Sequence, residues 1–300
     1  MSGQGFTVLG VPIDSVGLGR AEAHGTELSP AAVRAAGLDR LGWADAGDLD
    51  VRIPDHERDA ASGVIGIDGV LSTTSSVRAA TADRIRRGER PFLLGGCCTL
   101  LVGALAGARD ALGSVSLVYV DGHLDLYDGH TSPTGEAADM PISVVLGDGP
   151  PAWVERVAPA PVIPSPGIAL LGYHDPDELV DVGEALARDR AAGLFEADVA
   201  TIRRVGPAAT AAQALANVRR GSSNVWLHLD LDVLDQDVFA ATDYLQPGGL
   251  DWDELVDLVA PVAAADGLVG WSLACYNPEK DPAGSDGRAI VAALERLFPD

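Results

Sequence analysis

Two acid clusters carry the chemistry that can be read in this chain. Asp121-Gly122-His123-Leu124-Asp125 spaces three polar side chains two residues apart, and Asp230-Leu231-Asp232 is followed by Asp235 and Asp237. Hard divalent cations such as Mn²⁺ select carboxylates and tolerate imidazole. In an extended chain residues i and i+2 share a face, so Asp121 with His123, or Asp230 with Asp232, can aim at one point. Asp121, His123, Asp125, Asp230 and Asp232 are too many donors for one ion and suit two ions about 3.5 Å apart. Either motif alone reads as ordinary loop polarity, because aspartate makes turns and caps helices. Both together, each closing an apolar run, predict one shared metal site.

The elements that must position these motifs are strands. Residues 117–120 and 225–229 read as interior strands of a parallel sheet. Open α/β sheets bind ligands just beyond the carboxyl ends of their strands. Further strands are predicted at 6–12, 91–94, 167–172 and 268–275, with a poorer one near 195–202. Helices are predicted from Ser29, as N-cap before Pro30, to about residue 41, and at about 69–87, 100–112, 142–146, 177–192, 207–219, 251–264 and 286–297. A glycine-rich loop covers 14–25, and Gly95-Gly96-Cys97-Cys98-Thr99 makes a strand, glycine turn and helix. Residues 150–166 hold six prolines and read as a surface excursion, with a domain boundary there as the alternative. The βαβα alternation on both sides favours a single domain over 1–300, an α/β fold with one parallel sheet flanked by helices.

Composition excludes several function classes. The formal charge of −23, from 21 basic and 44 acidic residues, repels nucleic acid and anionic membranes and leaves no basic stripe. No apolar run reaches the roughly 18 residues of a membrane span. The first five residues lack the basic start and apolar core of a signal peptide, so a cytoplasmic location is expected. Three cysteines, two of them adjacent, agree with a reducing compartment.

On its motifs the chain resembles the ureohydrolase family of arginases and agmatinases over nearly its full length. Asp121-Gly-His123-Leu-Asp125 is similar to the family's Asp-Ala-His-x-Asp motif, and Asp230-Leu-Asp232-Val-Leu-Asp235 to its Asp-x-Asp-x-x-Asp motif. Residues 6–12 and 25–38, Gly47-Asp48-Leu49 and Asn277-Pro278 add support. The resemblance implies a three-layer α/β/α fold with a mainly parallel sheet of about eight strands. It also implies hydrolysis of a small guanidino substrate and two Mn²⁺ ions. Asp121 and Asp230 would bridge the ions, Asp125 would complete the A ion, and His123 and Asp232 would complete the B ion. Hydroxide bridging the ions would attack the guanidino carbon. Asp125 and Asp235 are the implied catalytic acids, Asp235 by orienting a ligand. Family members commonly form trimers or hexamers.

The departures from the family pattern are as informative. Cys98 stands where the A ion's histidine is expected. It reads as a softer, charged ligand that would weaken Mn²⁺ or favour Zn²⁺ or Fe²⁺, with a vestigial A site, or a small buried hydrophobe, as the alternatives. Cys97 reads as structural. In the loop Thr134-Gly135-Glu136-Ala137-Ala138-Asp139-Met140-Pro141, Ala138 replaces a proton-shuttling histidine, and Glu136, Asp139 or His130 could substitute. Cys275 replaces a glutamate that pairs with the guanidinium. Thr134 and Asp177 fall where an α-amino-acid end is held, although Asp177 also reads as a plain helix N-cap. The substrate-binding set is thus Thr134, Glu136, Asp177 and Cys275. A hydroxyguanidine depends less on an anionic clamp than a guanidinium does. At Cys98 the chain resembles the Nω-hydroxy-arginine hydrolases of D-cycloserine biosynthesis, which implies Nω-hydroxy-L-arginine going to L-ornithine and hydroxyurea. The alternatives are arginase or agmatinase activity on an unmodified guanidino compound, or a non-catalytic binding protein. A histone-deacetylase-like zinc hydrolase is disfavoured because no two of the six histidines are adjacent.

Overall fold

Eight strands form one sheet in the computed structural model, which describes residues 5–15 and 25–299. They are β1 (Thr7–Val11), β2 (Ala44–Asp48), β3 (Pro91–Gly95), β4 (Ser116–Val120), β5 (Ile168–Leu171), β6 (Phe195–Ala197), β7 (Val225–Asp230) and β8 (Leu268–Ala274). The order is β2-β1-β3-β8-β7-β4-β5-β6, and every pair is parallel. Most of the predicted loop at 14–25 lies outside the described residues.

Strand alternation divides the apolar residues between two cores. On β4, Leu117 and Tyr119 join one cluster while Val118 and Val120 join the other; on β7, Trp226 faces the first and Leu227 and Leu229 the second. The helices Ile67–Arg86 and Leu100–Leu112 cover the first face. Pro207–Val218, Trp252–Ala263 and Ser285–Leu297 cover the second. The result is a three-layer α/β/α fold, as expected. Each fully buried Leu or Val contributes about 1.5–3 kcal/mol, so the central strands are fixed firmly beneath whatever stands at their tips. Among the described residues no helix is long and apolar enough to cross a membrane.

Several local expectations need correction. The predicted helix from Ser29 stops at Ala35, because Gly37 adopts φ 107° and a short 3-10 turn follows. Its N-cap is Leu28, and Ser29 lies inside the helix. The 195–202 strand ends at Ala197, where Asp198 caps a helix over Val199–Val205 by accepting the Thr201 N–H at 2.7 Å. The proline-rich stretch is not a bare surface excursion. It contains the helix Pro151–Arg156 and buries Trp153, Val157, Val162 and Ile163, with Trp153 Nε1 donating to Thr74 Oγ1 at 2.9 Å. Strand β2 was missed, since its Ala-Asp-Ala-Gly-Asp sequence is exposed throughout.

Candidate metal centre

The tips of four adjacent strands form a row. Register pairs Leu94 with Leu273, Asp230 with Ala274, and Val120 with Leu229. The residues just beyond therefore follow in order across the sheet: the Cys98 turn after β3, Cys275 after β8, Asp230 on β7, and Asp121 after β4. Gly96 is required in that turn, because a Cβ there would meet the Ile13 carbonyl oxygen at 1.6 Å. Its own carbonyl accepts the Cys275 N–H at 2.7 Å, which ties the Cys98 turn to the tip of β8. Gly122 plays the same part between β4 and β7. Its N–H donates to Asp232 Oδ1 at 3.1 Å, and a Cβ would come within 2.7 Å of the Asp232 carbonyl oxygen.

Among the described residues only two that are not glycine have positive φ, Asp125 (51°) and Cys275 (63°). Such conformations cost on the order of 1 kcal/mol or more and need support from their surroundings. Cys275 has the bond to Gly96. Asp125 has Glu178, whose buried carboxylate accepts the N–H groups of Leu124 at 2.6 Å and Asp125 at 2.9 Å. The Tyr119 hydroxyl donates to Asp125 Oδ2 from below. In Glu178→Gln the amide NH₂ would face one of those N–H donors, and a buried unsatisfied donor costs about 1–3 kcal/mol. Thermal unfolding of that variant should show this loss together with reduced turnover, because Asp125 is no longer held in place.

These side chains surround a cavity of about 120 Å³. Among the described residues its lining holds seven carboxyl groups (Asp121, Asp125, Asp139, Asp175, Glu178, Asp230 and Asp232), the thiols of Cys98 and Cys275, and His123, with no lysine or arginine. Charge is therefore badly balanced. Burial and then Asp232 push Asp121 up to about 6, and burial with neighbouring carboxylates pushes Asp125 and Asp230 well above the usual range. Burial also pushes Glu178 up to about 7. Burial alone would lower His123, yet Asp232 and Asp121 hold it well above its ordinary value. Burial likewise opposes ionised Asp232, but the His123 ring, with Nδ1 3.1 Å from Asp232 Oδ2, keeps it below the usual range. Asp230 Oδ2 is buried with no hydrogen-bond partner. Buried like charges of this kind are stabilised by paired charge or bound cations. The donor groups are sorted accordingly: ligand atoms of Asp121, His123 and Asp232 lie within 4.8 Å of one another, as do those of Cys98, Asp230 and Cys275, and those of Asp121, His228 and Asp230. This set fits divalent cations.

The structure brings together Cys98, Asp121, His123, Asp125, Thr134, Asp230, Asp232 and Cys275 around this cavity. It does not bring in the rest. Asp177 points to solvent in the first turn of a helix. The residue that caps that helix and faces the cavity is Asp175, which accepts the N–H groups of Asp177 and Glu178. Glu136 lies outside the lining and accepts from the Tyr244 hydroxyl; His130 is exposed. Of the three proposed stand-ins for the missing histidine, only Asp139 faces the cavity. Its Oδ2 accepts the Ser132 and Thr134 hydroxyls at 2.6 and 2.5 Å, and burial raises its pKa. Asp235 acts at one remove. Its carboxylate accepts the N–H groups of Asp237 and Gly248, which fastens the segment carrying Gln246. Gln246 Nε2 in turn donates to Asp175 Oδ2 at 2.7 Å and lies 3.4 Å from His123 Nε2. Cys97 is apart from the cavity, 2.8 Å from Ser15 Oγ, and burial lifts it to about 12.

Sequence reasoning missed Glu178, Asp175, Tyr127, Tyr244 and His228. The Asp175-Pro176-x-Glu178 spacing is a helix-start signal that could have identified Asp175. His228 stands two residues before Asp230 on the same strand face, stacks on Tyr119 with centroids 5.0 Å apart, and keeps Nδ1 2.7 Å from Ser272 Oγ.

Comparison with known proteins agrees with this architecture. The profile of the arginase family matches residues 4–298. An arginase of Brevibacillus brevis is 28% identical over 301 residues, covering 98% of each chain. The structure of an arginase from Bacillus caldovelox superposes with a TM-score of 0.83 at 25% identity, covering 98% of both chains. A formimidoylglutamase from Bacillus subtilis, at 20% identity, shares the fold with a TM-score of 0.75, covering 99% of this chain and 88% of its own.

Proposed function

The chain belongs to the arginase family, and from that premise we propose that it hydrolyses Nω-hydroxy-L-arginine to L-ornithine and hydroxyurea. The broader activity, metal-dependent hydrolysis of linear amidines, comes with membership of the family. The observation that carries the finer reading is that Cys275 and Ala138, rather than an acid and an imidazole, line the cavity beside Cys98. Cys98 Sγ donates to the Ala138 carbonyl at 3.3 Å. Before a cation binds, the neighbouring Cys275 thiol, burial and nearby carboxylates hold Cys98 well above its ordinary pKa, and, against the Cys98 thiol, burial and Asp230 raise Cys275. A full guanidinium would find no carboxylate at the Cys275 position to pair with, whereas a hydroxyguanidine has less need of one.

Asp121, His123, Asp125, Asp230 and Asp232, with Cys98, would hold two divalent cations, with Mn²⁺ expected beside Asp121, His123 and Asp232. Such cations supply Lewis acidity that makes water nucleophilic near neutral pH. Water adds its oxygen to the guanidino carbon, the bond to the ornithine nitrogen breaks, and that nitrogen takes a proton. Asp139 is the candidate to deliver it: its carboxyl lines the cavity, and burial raises its pKa against the Ser132 and Thr134 hydroxyls that donate to Oδ2. Asp175 and Thr134 at the rim suit the ammonium and carboxylate of an amino-acid end. Tyr127 and Tyr244 add aromatic surface to the cavity lining.

The test is to load the protein with Mn²⁺ and compare Nω-hydroxy-arginine, arginine and agmatine by ornithine or putrescine release. At least about tenfold higher kcat/KM for the hydroxylated substrate is expected, equivalent to about 1.4 kcal/mol of transition-state preference. Preference for arginine or agmatine would replace this reading with that of an ordinary guanidino hydrolase.

A further inference from the structure

The row of strand tips sorts its donors by chemical softness. On the β3–β8 side stand the Cys98 and Cys275 thiols; on the β4 side stand Asp121 and His123, with Asp232 following β7; Asp230 lies between. We propose that the two cation positions differ in kind. The one bounded by Cys98, Cys275 and Asp230 is thiophilic and selects Zn²⁺ over Mn²⁺, while the one bounded by Asp121, His123 and Asp232 is oxygen-rich and takes Mn²⁺. This rests on the reading that the cavity holds divalent cations, and it assigns Cys275 to the metal rather than to the substrate.

Three observations support it. The ligand atoms of Cys98, Cys275 and Asp230 lie within 4.8 Å of one another, and all three side chains are more than nine-tenths buried. The thiols are held in place together, since the Cys275 N–H donates to the Gly96 carbonyl at 2.7 Å and Cys275 is kept at φ 63°. Asp230 Oδ2 is buried and has no hydrogen-bond partner. Two thiolates with one carboxylate, leaving a fourth position open, match the coordination habit of Zn²⁺, whereas Mn²⁺ prefers oxygen and imidazole donors. Each thiol that binds gives its proton to solvent.

The test reads metal binding directly. Chelator-treated protein is titrated with Cd²⁺, whose bonds to thiolates give an ultraviolet charge-transfer band, and is separately equilibrated with equimolar Zn²⁺ and Mn²⁺ before metal analysis. One equivalent of Cd²⁺ should saturate the band. Its amplitude should fall by about half in Cys98→Ser and in Cys275→Ser, vanish in the double variant, and be unchanged in Cys97→Ser. Zn²⁺ preference at one position per chain should fall at least about tenfold in Cys275→Ser. Circular dichroism and retained Mn²⁺ at the other position show that the variants are folded. A full band in folded Cys275→Ser, or no band in the unaltered protein, overturns the proposal. A normal Cd²⁺ band in a protein that turns over no guanidino compound would leave the proposal standing and remove the hydrolase reading instead.

Discussion

Asp230→Asn is expected to cost at least about 10²–10³-fold in turnover, the scale seen when one preorganised electrostatic contact is removed. It should do so without unfolding the protein. Asp230 Oδ1 accepts the Asp232 N–H at 3.0 Å, and the amide oxygen of asparagine can keep that bond. What is lost is one buried negative charge beside Asp121 and Asp232, which burial and those neighbours already push well above the usual carboxylate range. The variant should therefore hold or raise the melting temperature of chelator-treated protein while losing activity. That combination separates a cation-holding carboxylate from a merely structural one, which would lose both together. Full activity in Asp230→Asn would remove this residue from the cation-holding set.

The second large effect is the pH dependence of stability in chelator. Asp121, at about 6, and Glu178, at about 7, bind protons more tightly in the folded protein than in the unfolded chain. Their contribution is fully present below their unfolded values and is lost as pH rises through about 6 and about 7. The raised His123 acts in the same direction. Asp232 is lowered, so its contribution is lost only on acidification and lies outside this window. Chelated protein should therefore melt on the order of 5–10 °C lower at pH 8 than at pH 5. Added Mn²⁺ or Zn²⁺ should restore more stability at pH 8 than at pH 5, because cations displace the protons these acids hold. A melting temperature that is flat from pH 5 to 8 in chelator, with no gain from cations at either end, would contradict the buried, charge-starved cluster.

The family, the sheet and the acid motifs were all legible in the sequence because each is encoded by near neighbours. The apolar runs of β4 and β7 and the two-residue spacing of Asp121–His123 and Asp230–Asp232 follow from strand geometry alone. The helix Leu100–Leu112 and the capping box of Asp251 with Glu254 were local in the same way. Strand β2 was not, because its polar sequence carries no burial signal. It is held by pairing with β1 and by Arg34, which bridges Asp45 and Asp48 at 2.7 and 2.6 Å.

The site divides along the same line. The sequence by itself determined that acids and an imidazole would gather at strand ends. Only the tertiary structure decided that Asp175 rather than Asp177 faces the cavity, that Glu178 holds the backbone of Leu124 and Asp125, and that Cys275 lies against Cys98. Those contacts depend on the order in which β3, β8, β7 and β4 are laid side by side. Crossover connections set that order, and no local periodicity records it.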